Sequence, residues 1–220
     1  MSAMAMTGTA SASATRSTRR KAVVGILAVV LLGAIALDTT VVSIGGEQDM
    51  RQQAFDPDAF GAEHFPRIRE FVMDRSPEAA QLATDLAADK AAAVAEYGTM
   101  AGAFPVMAVT LTGTVGEGNS GIFTIDVPDM PEGTAIRVQT GPAINGTELR
   151  DVIGDIEFGA FKNQIEYQDA GAGINRAMAA EVLEGLDRAA LSGKTVTVTG
   201  AFTMINPKNW LVTPVDLEVE

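Results

Sequence analysis

The sequence predicts an α+β protein: an N-terminal membrane helix, a helical hairpin, then a barrel of five strands with one helix between its third and fourth. Three observations carry this. Sixteen consecutive residues, Ala22 to Leu37, have no polar side chain. After Asp56-Pro57, apolar residues recur at helical spacing as far as Tyr97. From about Val106 the period drops to two, with a single return to helical spacing around Glu166–Arg188.

Residues 1–21 are rich in Ala, Ser, Thr, Gly and Met and end in Thr18-Arg19-Arg20-Lys21. Such a composition buries no core, so a disordered, basic cytoplasmic tail is expected. Residues 22–44 read as a transmembrane anchor or signal segment. A spanning helix needs about 20 apolar residues and a signal core about 7–15, so the run falls between them. As an uncleaved anchor, Ala22–Ile44 would span, with VVSI extending the apolar stretch beyond Asp38-Thr39-Thr40. As a cleaved signal, Ala34-Ile35-Ala36 offers a small-x-small site, and the body would be secreted after a cut near Ala36. A buried core helix is the third reading, and it would require a larger partner domain. Bases cluster before the run, and none follows until Arg51. That asymmetry places the N-terminus inside the cell membrane and the C-terminal domain on its extracytoplasmic side.

Residues 45–98 are expected as a helical segment. Gly45–Phe55 is a polar joint, and Asp56-Pro57 opens a helix that Pro66 would kink. Ser76-Pro77-Glu78 starts a second helix, with Leu82, Leu86, Ala93 and Tyr97 on its apolar side and Gly98 as C-cap. The two form the predicted hairpin. Residues 99–220 form the β domain. Val109, Leu111 and Val115 alternate with threonines, Phe123, Ile125 and Val127 follow, and then Ile136 and Val138. After the helix come Val196, Val198, Phe202 and Met204, and finally Leu211 to Val219, where Pro214 fits only an edge or a bulge. The order β-β-β-α-β-β is that of an OB-like barrel, with a split α+β sandwich as the alternative.

Charge and composition exclude several chemistries. No acid precedes Asp38, and from there twelve basic residues against twenty-eight acidic ones leave a balance of −16. A body that negative repels phosphate backbones, so nucleic acid is not an expected partner. There is no cysteine, which removes disulfides, thiolate metal sites and cysteine nucleophiles. One imidazole, His64, builds neither a histidine-rich zinc site nor a Cys-His dyad, and it reads as a surface or helix-packing residue. No cofactor or metal is expected, and no residue is assigned a catalytic role.

Gly116-Glu117-Gly118-Asn119-Ser120-Gly121 matches G-x-G-x-x-G, but a strand follows it rather than the helix a dinucleotide needs, so it reads as a hairpin loop. Asn145-Gly146-Thr147 is formally a glycosylation sequon and reads as a glycine-bearing turn. The segment Gly141–Asp151 is dense in polar groups directly after a strand, and Phe161–Asp169 follows shortly. Their amides, guanidinium and carboxylates suit a hydroxyl-rich or amide-bearing ligand, or else they hydrogen-bond a crossing of the barrel end. Candidate ligand- or partner-binding residues are Asn145, Thr147, Arg150, Asp151, Asn163, Gln164 and Tyr167, with Trp210 at the last turn as a barrel-mouth residue. Aromatics are only 5% of residues, which argues against a multi-ring stacking platform.

The runs VQTGPAINGTELRDVIGDIEFGAFKNQIEYQDAGAGIN and LSGKTVTVTGAFTMINPKNWLVTPVDLEV, with the earlier EYGTM, resemble a family of predicted bacterial periplasmic lipoproteins of unknown function. The resemblance covers roughly Phe55 to Val219. It implies an envelope location and an association with sugar importers of the binding-protein-dependent type. Members follow their apolar run with a lipid-bearing cysteine, whereas Asp38 stands at that place here. The expected function is a membrane-tethered extracytoplasmic accessory or binding protein, with sugar importer components as partners, and not an enzyme. Two alternatives remain: an envelope interaction domain without a small ligand, and a carboxylate-dependent hydrolase using acids such as Asp151, Glu166 or Asp169.

Overall fold

A computed structural model describes residues 14–38 and 54–220. The chain divides into two compact units, Met1–Ala54 and Phe55–Glu220.

In the first unit, α1 (Ala14–Asp38) takes in the whole apolar run. Its described side chains, Arg20 to Ile35, are all exposed. Yet no helix among the described residues is long and apolar enough to cross a membrane. The sixteen apolar residues cover about 24 Å at helical rise, against a hydrocarbon core of about 30 Å. The predicted span from Ala22 to Ile44 is therefore helical as far as Asp38, and residues 39–44, which were to lengthen it, lie outside the described residues. Residues 45–53 and 1–13 lie outside them as well.

The second unit begins with α2 (Pro57–Arg75), α3 (Ala79–Ala88) and α4 (Lys90–Tyr97). Six strands follow: β1 (Gly98–Ala101), β2 (Phe104–Asn119), β3 (Ile122–Asp126), β4 (Ala135–Gln139), β5 (Thr195–Thr203) and β6 (Asn209–Val219). Between β4 and β5 lie α5 (Glu148–Asp151) and α6 (Gln164–Val182). The strands pair in the order β1-β2-β3-β4-β6-β5, and β5 pairs back onto β2. Five strands thus form a closed circuit, in which only β4 and β6 run parallel. The sixth, β1, is an added edge strand that hairpins onto the start of β2. Sequence reading missed it because Gly98 is extended (φ −104°, ψ 151°) rather than a left-handed helix cap. Pro214 takes the bulged position expected of it, opposite Gly200 where the β5–β6 register shifts.

Alternation fills two cores. Met107, Val109 and Leu111 of β2 join residues from the other four circuit strands and from α3 and α4. Val106 and Ala108 of the same strand point the opposite way, to α2 and α6. This arrangement corrects the predicted hairpin: α2 serves one core and the α3–α4 pair the other. Phe65, Ile68 and Val72 of α2 pack with Ile174 and Met178 of α6. Two glycines permit the close approach, since a Cβ on Gly61 would lie 2.2 Å from the Gly173 carbonyl oxygen. The predicted second helix also begins later and breaks. The Ser76 hydroxyl donates to the Val72 carbonyl at 2.6 Å, closing α2, and Thr110 N–H donates to the Pro77 carbonyl at 2.9 Å. Asp89 then interrupts the helix with extended backbone, and its carboxylate accepts from Ala91 and Ala92 N–H to start α4.

The glycine motif is mostly strand. Gly116 to Asn119 belong to β2, and only Ser120 and Gly121 turn the hairpin, with φ of 52° and 77°. Positive φ at both turn residues is the two-residue geometry that matches strand twist.

Candidate functional site

The connection from β4 to α6 is held from both sides. At the end of β4, buried Gln139 accepts from Asn145 N–H at 3.0 Å, donates to the Asn145 carbonyl at 2.9 Å, and donates to the Thr213 hydroxyl at 2.8 Å. From α6, Asn175 donates to the Gly146 carbonyl at 2.9 Å. So fixed, the loop delivers Thr147 and α5 to one place.

There, four of the eight predicted residues meet. Arg150 is 5% exposed, and its guanidinium forks onto Asp151, with Nε donating to Oδ1 at 2.7 Å and Nη2 to Oδ2 at 3.1 Å. The Thr147 hydroxyl donates to Asp151 Oδ2 at 2.7 Å. Arg150 Nη1 donates to the Tyr167 carbonyl at 2.9 Å, while its guanidinium carbon lies 3.6 Å from the Tyr167 ring centroid. A guanidinium suits this position because one plane can make a bidentate pair and a cation–π contact together. Three donors occupy the Asp151 carboxylate, and the Tyr167 phenol interacts with it as well. Burial, chiefly, pushes the Tyr167 phenol up, with the Arg150 charge opposing. The phenol is therefore a hydrogen-bond donor at neutral pH.

Asp151 and Tyr167 line a cleft of about 280 Å³. Its other walls include Met100 to Gly102 at the β1–β2 turn, Gly154 and Ile156 after α5, Glu157, and Phe158 in a short 3-10 helix (Phe158–Ala160). Phe158 is half exposed and meets Tyr167 edge-on at 5.6 Å, and Phe161 lies 5.4 Å from the same ring. Phe161 continues to Phe55 and Phe60, on which His64 stacks at 3.9 Å. A low aromatic content thus still concentrates five rings in one run of contacts, Phe55, Phe60, Phe161, Tyr167 and Phe158, of which Phe158 and Tyr167 line the cleft.

The remaining predicted residues lie elsewhere. Asn163 caps α6, its side chain accepting from Ile165 and Glu166 N–H at 2.9 and 3.0 Å. Gln164 is exposed on the first turn of α6, and the Asn145 side chain is exposed on the loop. Trp210 is fully buried, stacked 4.7 Å from Phe202, with its indole N–H donating to the Pro207 carbonyl at 2.8 Å. It fills the core instead of covering a mouth. Sequence reasoning missed Met100, Gly102, Glu157 and Phe158. Glu157 and Phe158, like Gly154 and Ile156 in the same wall, lie between the two polar segments, where their proximity to Asp151 was a usable signal.

Glu148, at the start of α5, is half-buried. Its Oε1 accepts from the Thr203 hydroxyl at 3.2 Å, and its Oε2 is buried without a hydrogen-bond partner. Burial pushes this carboxyl above its ordinary range.

Residues 25–218 match the family described as "Predicted periplasmic lipoprotein", a domain of unknown function, and the chain belongs to that family. Among solved structures it is similar to an OB-fold protein from Thermotoga maritima, with a TM-score of 0.61 and 16% sequence identity, covering 76% of this chain and 100% of that one. At that identity the likeness concerns the fold alone: an α+β chain with the OB arrangement of strands. No curated protein matches.

Proposed function

We propose that the second unit is a non-catalytic binding module on the outer side of the membrane, taking a small hydroxyl-rich ligand into the Asp151–Tyr167 cleft. One observation carries this reading: Arg150, buried and shared between Asp151 and Tyr167, fixes a carboxylate from α5 and a phenol from α6 in one cleft. A fixed acceptor and a fixed donor beside exposed aromatic surface suit hydroxyls on an amphipathic body. Sugars are the probes of choice, and an importer for them is the proposed partner. The apolar run before Asp38 serves as the targeting segment, whether retained as a tether or removed after export.

The hydrolase reading is less well supported. Asp151 is taken up by Arg150 and Thr147, and Glu166 accepts from Lys162 N–H at 3.0 Å at the start of α6. Of the acids named for that role only Asp151 lines the cleft. A thermal-shift panel of mono- and disaccharides on the purified chain tests the proposal. A saturable shift that Tyr167→Ala abolishes is expected, and a panel without any shift overturns it.

A further inference from the structure

The glycine motif of β2 borders a second cavity, which shares no lining residue with the Asp151 cleft. It measures about 580 Å³ and is lined by Gly118, Ser120, Gly121 and Phe123 of the β2–β3 hairpin, by Gly141 to Ala143 after β4, and by Arg188 and Ala189. Small residues keep it open. A Cβ on Gly118 would lie 2.2 Å from the Phe123 ring, and one on Gly121 1.7 Å from the Gly141 carbonyl oxygen. With φ of 77° and 81°, Gly121 and Gly141 also occupy backbone conformations that disfavour any side chain.

Arg188 is the only charged group in this lining. It is half-buried, and its Nε donates to the Thr140 carbonyl at 2.6 Å and its Nη2 to the Leu183 carbonyl at 3.4 Å. Two carbonyls orient the guanidinium but leave its charge unmatched. No carboxylate pairs with it among the described residues, whereas Arg67, Arg69, Arg150 and Arg176 each have one. A guanidinium has five N–H donors, so Nη1 and half of Nη2 remain for a planar acceptor pair. The rest of the wall is an aromatic ring, proline, alanine, glycine backbone and Ser120, whose hydroxyl donates to the Asn119 side chain.

We propose that this cavity binds a small monocarboxylate with an apolar or aromatic body, its carboxylate on Arg188 and its body against Phe123 and Pro142. The charge balance of −16 from Asp38 onward penalises each further negative charge, which favours a monoanion over phosphate.

Benzoate is the probe, titrated into the full-length chain by calorimetry, with benzamide as its neutral isostere and inorganic phosphate as the competing anion. Saturable benzoate binding is expected, with benzamide weaker by about tenfold or more because the charge-assisted pair is lost. Arg188→Gln should weaken benzoate to the same degree. Since Arg188 also ties down Thr140, Ala143→Phe provides a second variant, which adds bulk to the lining and leaves that contact in place; it should weaken binding at least as much. Equal affinity for benzoate and benzamide, stronger binding of phosphate, or benzoate binding unaffected by both variants would each overturn the assignment. So would the absence of saturable benzoate binding. Sugar binding at the Asp151 cleft is scored separately, so neither result decides the other.

Discussion

Two buried charges behave oppositely, and partnership is the reason. Arg150 and Asp151 satisfy each other, so removing one strands the other. Arg150→Leu leaves the Asp151 carboxylate, only 15% exposed, with Thr147 as its remaining partner. A loss of about 3 kcal/mol in chemical unfolding is expected. Arg150→Lys should recover only part of it, because an ammonium cannot fork onto the carboxylate and cover Tyr167 at once. Glu148 lacks such a partner on Oε2, and its carboxyl is raised chiefly by burial. A raised carboxyl binds its proton more tightly in the folded state. Ionisation of Glu148 therefore costs stability above its folded value, and that cost disappears as pH falls through it. Glu148→Gln should stabilise the chain by about 1 kcal/mol at neutral pH. The gain should shrink toward zero in urea titrations near pH 4, and a gain independent of pH would contradict this account.

At the scale of elements, strands were easier to read than helix partnerships. Val109, Leu111, Val196 and Val198 alternate with threonines that meet across strands, Thr110 with Thr199 and Thr112 with Thr197, each at 2.9 Å. That pattern is local, so a window of sequence contains it. The pairing of α2 with α6 is not local. It rests on Gly61 and Gly173, more than a hundred positions apart, and each glycine in isolation looks like a weak point of its helix. The site divides in the same way. Thr147, Arg150 and Asp151 were legible as one dense polar stretch, but the β1–β2 turn that walls their cleft comes from an edge strand with little alternation of its own. Trp210 misled because a tryptophan beside a turn usually stays near the surface, whereas Phe202 and Pro207 hold this one inside. The helix crossing yields a sharp test. A methyl on Gly173 would lie 1.8 Å from the Pro57 carbonyl oxygen, which belongs to backbone and cannot rotate away. Gly173→Ala should cost about 2–3 kcal/mol although alanine favours helices. An unchanged denaturation midpoint would mean that α2 and α6 do not approach so closely.

For the whole molecule, the decisive asymmetry is electrical and lies along the chain. Arg19, Arg20 and Lys21 precede the apolar run, and a strongly acidic body follows it. Basic residues beside an apolar segment resist transfer across the membrane, whereas acidic ones count for little, so the cluster and not the body's negative charge sets direction. The apolar run is short for a span, yet signal segments of similar length also direct export, and orientation therefore does not depend on whether the segment is retained. A reporter that folds only with disulfides, fused after Glu220, reads the outcome directly, because such bonds form outside the cytoplasm. The native chain should give an active reporter. Substituting all three bases by glutamate should lower that activity sharply while leaving the body's own fold intact, since none of the three belongs to the Phe55–Glu220 unit. If the native fusion is inactive outside and a cytosolic reporter at the same position is active, the body lies inside, and a sugar-binding role at the outer membrane face falls with it.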